Sequence, residues 1–324
     1  MKSSRALPYL AISETAMIFG FSFLFTKNIL DHLGVFQLLG YRFLLAALVL
    51  TLLRMLGVLQ IRIPRENVRG LLAVALFQPL LYFVFETLGV HLTNASQSGV
   101  IISLVPISAM VFAVLILKER LVMTQWTAAM VSMAGVMVIV ASQGQAGGES
   151  SPLGVLILLL AVVAAGMYNV MSRKMSAVSS PLETTYVMMW VGALVFNVVG
   201  LSLFTRSGTP AGYLAAIFRP EVLPNLFFLA VVSSIVAFFL FNYSLAHMEA
   251  SRNAIFLNLV PIISVWAGVV FRGEAFAGLQ ILGMVLIIAG AWGINDRRIV
   301  ARGELFLSRF RGKRPGPVQT IPRD

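Results

Sequence analysis

Three ionisable side chains stand inside long apolar runs of this chain: Glu14, Arg42 and Glu86. A charge among hydrocarbon costs several kcal/mol unless it faces a partner or a wet interior, so such residues mark ion, proton or substrate paths. Glu14 lies about two turns into its run, Arg42 near the middle of the next, and Glu86 towards the end of the third. Depth alone lets Arg42 pair with either carboxylate. Glu14 comes eight residues before Ser22, and the spacing is read as one helical face, which makes Glu14 the candidate proton carrier. The plainer alternative is a static Glu14–Arg42 pair that fixes two helices.

A second group gathers around Glu86. Gln78, Tyr82 and Glu86 recur every four residues and so share one face of an apolar helix. Lipid rejects that face, so it is expected to look inward, with Tyr82 placed to stack on a flat or amphipathic substrate. The alternative is a hydrogen-bonded seam between helices. Tyr168, Asn169, Trp190, Asn242, Tyr243 and Trp266 are candidates to complete the lining, although Trp and Tyr near span ends also mark the lipid interface.

Two prolines stand in the middle of apolar runs. Pro106 and Pro261 each lack an amide proton and crowd the carbonyl four residues earlier, at Ile102 and Leu257. Ser103 and Asn258 precede them by three residues. These polar side chains either satisfy the loosened backbone or belong to a polar, bendable point where a substrate sits.

Other chemistries find no support in the residues. The chain has no cysteine, which removes disulfides, thiolate metal sites and cysteine nucleophiles. His32, His91 and His247 have no second ligand at metal spacing, and neither an H-E-x-x-H nor a G-x-S-x-G pattern occurs. No Gly-rich phosphate loop ends in Lys-Ser or Lys-Thr, so ATP is not expected as the energy source. No metal or cofactor and no enzymatic reaction is expected; an intramembrane hydrolase would lack a nucleophile with a visible base.

The elements that must position these residues follow from composition. Of 324 residues 59% are hydrophobic and 11% charged, against about a quarter charged in soluble domains. The solvent is lipid, and runs that are apolar on every side make the spans helices rather than barrel strands. With about 20 residues per crossing, the runs predict ten spans, near 8–27, 34–53, 70–89, 94–117, 122–141, 152–172, 184–204, 224–246, 253–271 and 276–295. Lys and Arg gather at alternate ends, which predicts both termini on the cytoplasmic side. The net charge of +11 is largely that signal: the segment from Asn295 holds eight basic and three acidic residues. That tail is read as a topology anchor and not as a nucleic-acid surface. The expected partners are a small-molecule substrate, protons and the bilayer, and the assembly is a monomer or a homodimer.

The chain is written twice. A displacement of 155 residues sets ASRNAIFLNLVPII over ASQSGVIISLVPIS and matches Glu119 to Glu274, Gln125 to Gln280 and Gly135 to Gly290. A shorter displacement sets GMYNVMSR over GFSFLFTK, a glycine followed seven residues later by a base. The expected organisation is a first repeat at 8–141, a connecting loop at 142–151, a second repeat at 152–295 and a basic tail at 296–324. Five spans per copy make the second copy inverted, the architecture of secondary transporters. Glu119 and Glu274 are expected to serve helix ends, and Gly135, Gly283, Gly290 and Gly293 close helix packing.

The segments LGVHLTNASQSGVIISLVPISAMVFAVLILKERL and YSLAHMEASRNAIFLNLVPIISVWAGVVFRGEAF resemble the two signature segments of the EamA-type drug/metabolite transporters. FGFSFLFTK departs from that family at Phe19-Gly20, where members often have Trp-Gly, so no stacking tryptophan carries over. The resemblance covers 8–295 and implies ten helices in two inverted repeats in the inner membrane, exporting or exchanging metabolites such as amino acids or amphipathic compounds by alternating access. An uncoupled facilitator, or a membrane-embedded enzyme or assembly protein without flux, is the alternative.

Overall fold

The computed structural model describes residues 6–102, 104–118, 123–145, 151–204, 213, 215–250, 253, 256–273 and 278–295. Ser103, Glu119, Glu274, most of the connecting loop and the basic tail lie outside them. The described residues are almost entirely helical, and they form ten passes. The unbroken ones are α1 (Leu7–Leu30), α2 (Val35–Met55), α7 (Met123–Gln145), α8 (Pro152–Met175), α9 (Pro181–Phe204) and α13 (Leu279–Asn295). The third pass joins α3 (Val68–Ala75) to α4 (Tyr82–Leu92), and the fourth is α5 (Ala95–Ile102) followed by α6 (Val105–Phe112). The eighth runs through α10 (Leu223–Phe227) and α11 (Phe238–His247), and the ninth ends in α12 (Val260–Arg272). Six helical stretches are long and apolar enough to cross a membrane by themselves: α1, α2, Arg65–Leu92, α8, α9 and Leu223–His247. Apolar side chains such as Leu52, Met137, Leu194 and Val198 face outward, as a helix bundle in lipid requires.

Local chemistry explains several helix ends. The sequence Ser180-Pro181-Leu182-Glu183 forms a reciprocal cap: the Ser180 amide donates to Glu183 Oε2 at 2.9 Å and the Glu183 amide to Ser180 Oγ at 3.2 Å. Gly273, at φ +64°, stops α12 in the left-handed region that glycine adopts without a Cβ clash.

The interruptions recur in both copies. Gln78 has an extended backbone, with φ −149° and ψ 115°, inside a π-helical turn at Leu76–Leu81. The 155-residue displacement carries Gln78 onto Ser233, which lies in the π-helical stretch Phe228–Ala237. Wide turns leave carbonyls loose, and local hydroxyls serve them: Ser234 Oγ donates to Leu229 O at 2.8 Å and Thr15 Oγ1 to Ala237 O at 3.3 Å. Pro106 and Pro261 stand at interruptions of the fourth and ninth passes. Each stands in the first turn of a newly started helix, α6 or α12, where the missing amide has no partner to lose.

Helix pairing shows the two-fold relation directly. The first pass packs against the eighth and ninth, and the sixth packs against the third and fourth; the second meets the seventh and the fifth meets the tenth. Exchanging the two repeats leaves that pattern unchanged. Close approaches obey the same exchange. A Cβ on Gly20 would lie 2.5 Å from Ile263 Cβ, and one on Gly166 would lie 2.1 Å from Ser108 Oγ, its counterpart at the 155-residue displacement. Lys27 Nζ donates to the carbonyls of Val90, His91 and Thr93 at the end of α4. Arg173 Nη1 donates to Leu245 O and Ala246 O, 2.7 and 2.9 Å, at the end of α11. The glycine-to-base spacing noted in the sequence is therefore one device used twice: the glycine lets a neighbouring helix approach and the base closes the end of another.

Candidate functional site

A cavity lies where the two repeats meet. Its lining includes six pairs of residues that the repeat displacements relate: Phe19 and Ala165, Phe23 and Asn169, Phe83 and Phe238, Glu86 and Phe241, Ile102 and Leu257, Val105 and Val260. Ser22, Arg42, Gln78 and Tyr82 complete it. The cavity thus sits on the axis relating the copies, beside the interruptions of passes three, four, eight and nine. A water-sized sphere finds about 40 Å³ of free space there, room for a few waters.

Two opposite charges are buried in this small space. Arg42 and Glu86 are each 2% exposed. Arg42 donates from Nε to Ser234 Oγ at 2.7 Å and from Nη2 to Ser233 Oγ at 2.9 Å, and its guanidinium lies 4.4 Å from the centre of the Phe83 ring. The π-helical stretch makes this possible, because it turns two consecutive serines towards one guanidinium. Glu86 Oε2 accepts a 3.0 Å hydrogen bond from Thr87 Oγ1. Arg42 and Glu86 both line the cavity, and no direct ion pair joins them. Asn169 Nδ2 donates to Ala165 O at 2.8 Å, while its Oδ1 is buried with no hydrogen-bond partner among the described residues. An uncompensated buried acceptor costs about 1–3 kcal/mol.

Several candidates fall elsewhere. Glu14 is exposed and outside the cavity. Eight residues advance an α-helix by about 80° beyond two turns, so Ser22 faces the cavity and Glu14 does not; Arg42 is held by the two serines and not by Glu14. Tyr168 and Asn169 are neighbours about 100° apart on α8, so only Asn169 reaches the lining. Tyr168 donates its hydroxyl to Asn242 Oδ1 at 2.8 Å, Ser172 Oγ donates to the same oxygen at 2.7 Å, and Asn242 Nδ2 donates to Thr185 Oγ1 at 3.1 Å. Tyr168 and Asn242 form a seam between passes six, seven and eight. Trp190 donates Nε1 to Thr51 Oγ1 at 3.0 Å between passes two and seven, and Tyr243 packs on His247 with ring centres 4.3 Å apart. Trp266 is 51% exposed and borders an outer apolar groove with Phe21 and Met17. Gln78, Tyr82 and Glu86 all reach the cavity, although no continuous helix carries them: the break at Gln78–Pro79 swings Gln78 inward. Asn258 lies in a 3₁₀ turn, Leu257–Leu259, just before α12. Sequence reasoning missed Ser233, Ser234 and Pro79; a proline beside a glutamine within an apolar run was the available signal for the last.

A ten-pass helical fold with inverted repeats around a charged, buried cavity defines a membrane carrier. The EamA-like transporter family model matches the chain twice, at residues 7–141 and 152–296, and the chain belongs to that family. It is 34% identical over 295 residues to the "Uncharacterized transporter YcxC" of Bacillus subtilis, covering 91% of this chain and 95% of that one. At 23% identity it is also similar to the "Probable amino-acid metabolite efflux pump" of Escherichia coli, covering 89% of this chain and 95% of that protein. A solved crystal structure matches with a TM-score of 0.65 at 19% identity, covering 90% of this chain and 99% of that one, a likeness of fold alone.

Proposed function

We propose that this transporter is a secondary active carrier of the cytoplasmic membrane that exports or exchanges small organic metabolites, such as amino acids or amphipathic compounds, by alternating access. The observation that carries the reading is the cavity on the axis between the repeats: in two copies of opposite orientation, moving one past the other opens the same site to either face at nearly equal energy. Both termini face the cytoplasm in this reading, because Lys and Arg gather on that side.

Coupling is to protons, and Glu86 is the carrier. It is the carboxylate that lines the cavity, and intramembrane carboxylates in such positions serve as proton relays. The test is flux in liposomes. Wild-type protein should accumulate solute against its gradient when a pH gradient is imposed, and in Glu86→Gln accumulation should be lost and whatever flux remains should no longer respond to pH. Flux indifferent to pH in the wild type would favour the uncoupled exchanger, for which Arg42 and Glu86 already balance the site electrically.

A further inference from the structure

We propose that the neighbouring ends of α2 and α9 bind the phosphate of an anionic phospholipid. Arg54 takes the phosphate, and Tyr186, Thr51 and Trp190 hold the surface against which it lies. The site is on the lipid face of the bundle and uses no residue of the cavity.

The hydrogen bonds fix their own directions. Thr51, one turn before Arg54 on α2, donates its single hydroxyl proton to Ala47 O at 2.7 Å. Its oxygen can then only accept, and it accepts from Trp190 Nε1 at 3.0 Å and from the Tyr186 hydroxyl at 3.2 Å. One threonine thus pins two aromatic side chains of α9 against α2. The Arg54 guanidinium lies over the pinned Tyr186 ring, 5.6 Å from its centre. No carboxylate stands within ion-pair distance of Arg54 among the described residues, and Glu183, one turn before Tyr186, is spent on the Ser180 amide. Arg54 is exposed. A planar fork of donors, set on an aromatic ring and left without an anion, matches a phosphate.

The position selects a lipid as the source. Arg54 is the last residue but one of α2, and Tyr186 comes five residues, about 7 Å, after the start of α9, which puts both at the depth of headgroups and glycerol esters. Tyr186, Trp190, Leu194 and Val198 recur every four residues on α9, and the last two are exposed, so this face meets lipid. On α2, Leu52 and Leu48 are likewise exposed. A phosphate on Arg54 therefore finds apolar surface for its acyl chains, running from it towards the middle of the bilayer. In the orientation read from the basic residues these ends face the cytoplasm, where the leaflet supplies anionic lipid. The bound lipid would clamp pass two of one repeat to pass seven of the other.

The test is lipid binding to the full-length protein in detergent, read by native mass spectrometry and by the thermal midpoint. Dioleoylphosphatidylglycerol should be retained, and should raise the midpoint, more than dioleoylphosphatidylcholine, whose phosphate is neutralised by its own choline. Inorganic phosphate at the same concentration should do neither. Arg54→Gln should raise the phosphatidylglycerol concentration needed for half the effect about tenfold, the loss of one hydrogen bond to a charged group. Arg69→Gln, which alters an exposed arginine of α3, should leave that concentration unchanged. Tyr186→Leu removes the ring beneath the guanidinium and should weaken binding in the same direction, so it serves if Arg54→Gln does not fold. An equal response to the two lipids, an equal response to inorganic phosphate, or an undiminished preference for phosphatidylglycerol in these Arg54 and Tyr186 variants would overturn the proposal.

Discussion

Glu86 and Phe241 occupy equivalent points of the two repeats, 155 residues apart, and both line one cavity. The same displacement relates Gln78 to Ser233 and Tyr82 to Ala237. The copies have kept a common backbone, interrupted at common points, while their side chains have diverged. The first repeat brings the cavity its charges and four of its six aromatic side chains, and the second brings Phe238, Phe241 and Asn169, together with the serines that hold Arg42.

Those serines should matter more than their size suggests. A hydrogen bond to a buried charge contributes about 1.5–3 kcal/mol, so replacing both Ser233 and Ser234 with alanine should lower the thermal midpoint and weaken ligand binding together. Each single replacement should give a partial effect. Unchanged melting and binding in the double variant would show that Arg42 has other support.

Lys27 and Arg173 close helix ends in equivalent places. Lys27→Ala leaves carbonyls at the end of α4 unserved and should cost about 1 kcal/mol, with faster amide exchange there. Lys27→Arg should restore protection. Arg173→Ala should do the same at the end of α11, and an effect confined to one copy would contradict the paired role.

Arg272 donates to Asp31 Oδ2 at 3.3 Å and to Asn28, tying the end of α12 to the end of α1. The equivalent points in the other copy are Leu117, Ala177 and Lys174, which offer no such pair. The contact is solvated and contributes at most about 1 kcal/mol, too little to change stability much. That amount still shifts a two-state opening by about fivefold. Arg272→Ala should therefore increase labelling of a cysteine placed at Ser22 by up to that factor from the face where the latch lies, with little change in melting.

Glycines between the fifth and tenth passes test the packing. A Cβ on Gly135 would lie 2.5 Å from Gly283 O, and one on Gly290 would lie 2.6 Å from Ala128 O. Backbone cannot yield as a flexible side chain does, so Gly135→Ala and Gly290→Ala should each destabilise by about 1–3 kcal/mol. Gly34, with open space around its Cβ position, should accept alanine without a comparable fall in thermal midpoint.

Much of the architecture was legible in the residues, because run length and internal displacement are one-dimensional quantities. The apolar runs correspond to the ten passes, and Pro106 and Pro261 mark repeated interruptions. Which face of each helix meets the cavity was much less legible. Tyr168 and Asn169 look equally suitable in sequence, yet a 100° rotation sends one to a seam and the other to the lining. Glu14 was placed by counting eight residues as a whole number of turns, an error of about 80° that accumulates in any long helix. The π-helical turns add a further rotation that no hydropathy pattern announces, and they bring Ser233 and Ser234 to Arg42.

Alternating exposure of the axial cavity is tested most directly by accessibility, and a chain without native cysteine suits that measurement. Single cysteines at Ile102 and Leu257, repeat-related residues of the lining, would be probed with a membrane-impermeant thiol reagent in right-side-out and inverted vesicles. Both positions should label from both faces, with access from one face falling as a bound ligand favours the other. Labelling of either position from one face alone, under every ligand and pH condition, would contradict a carrier that alternates around this cavity.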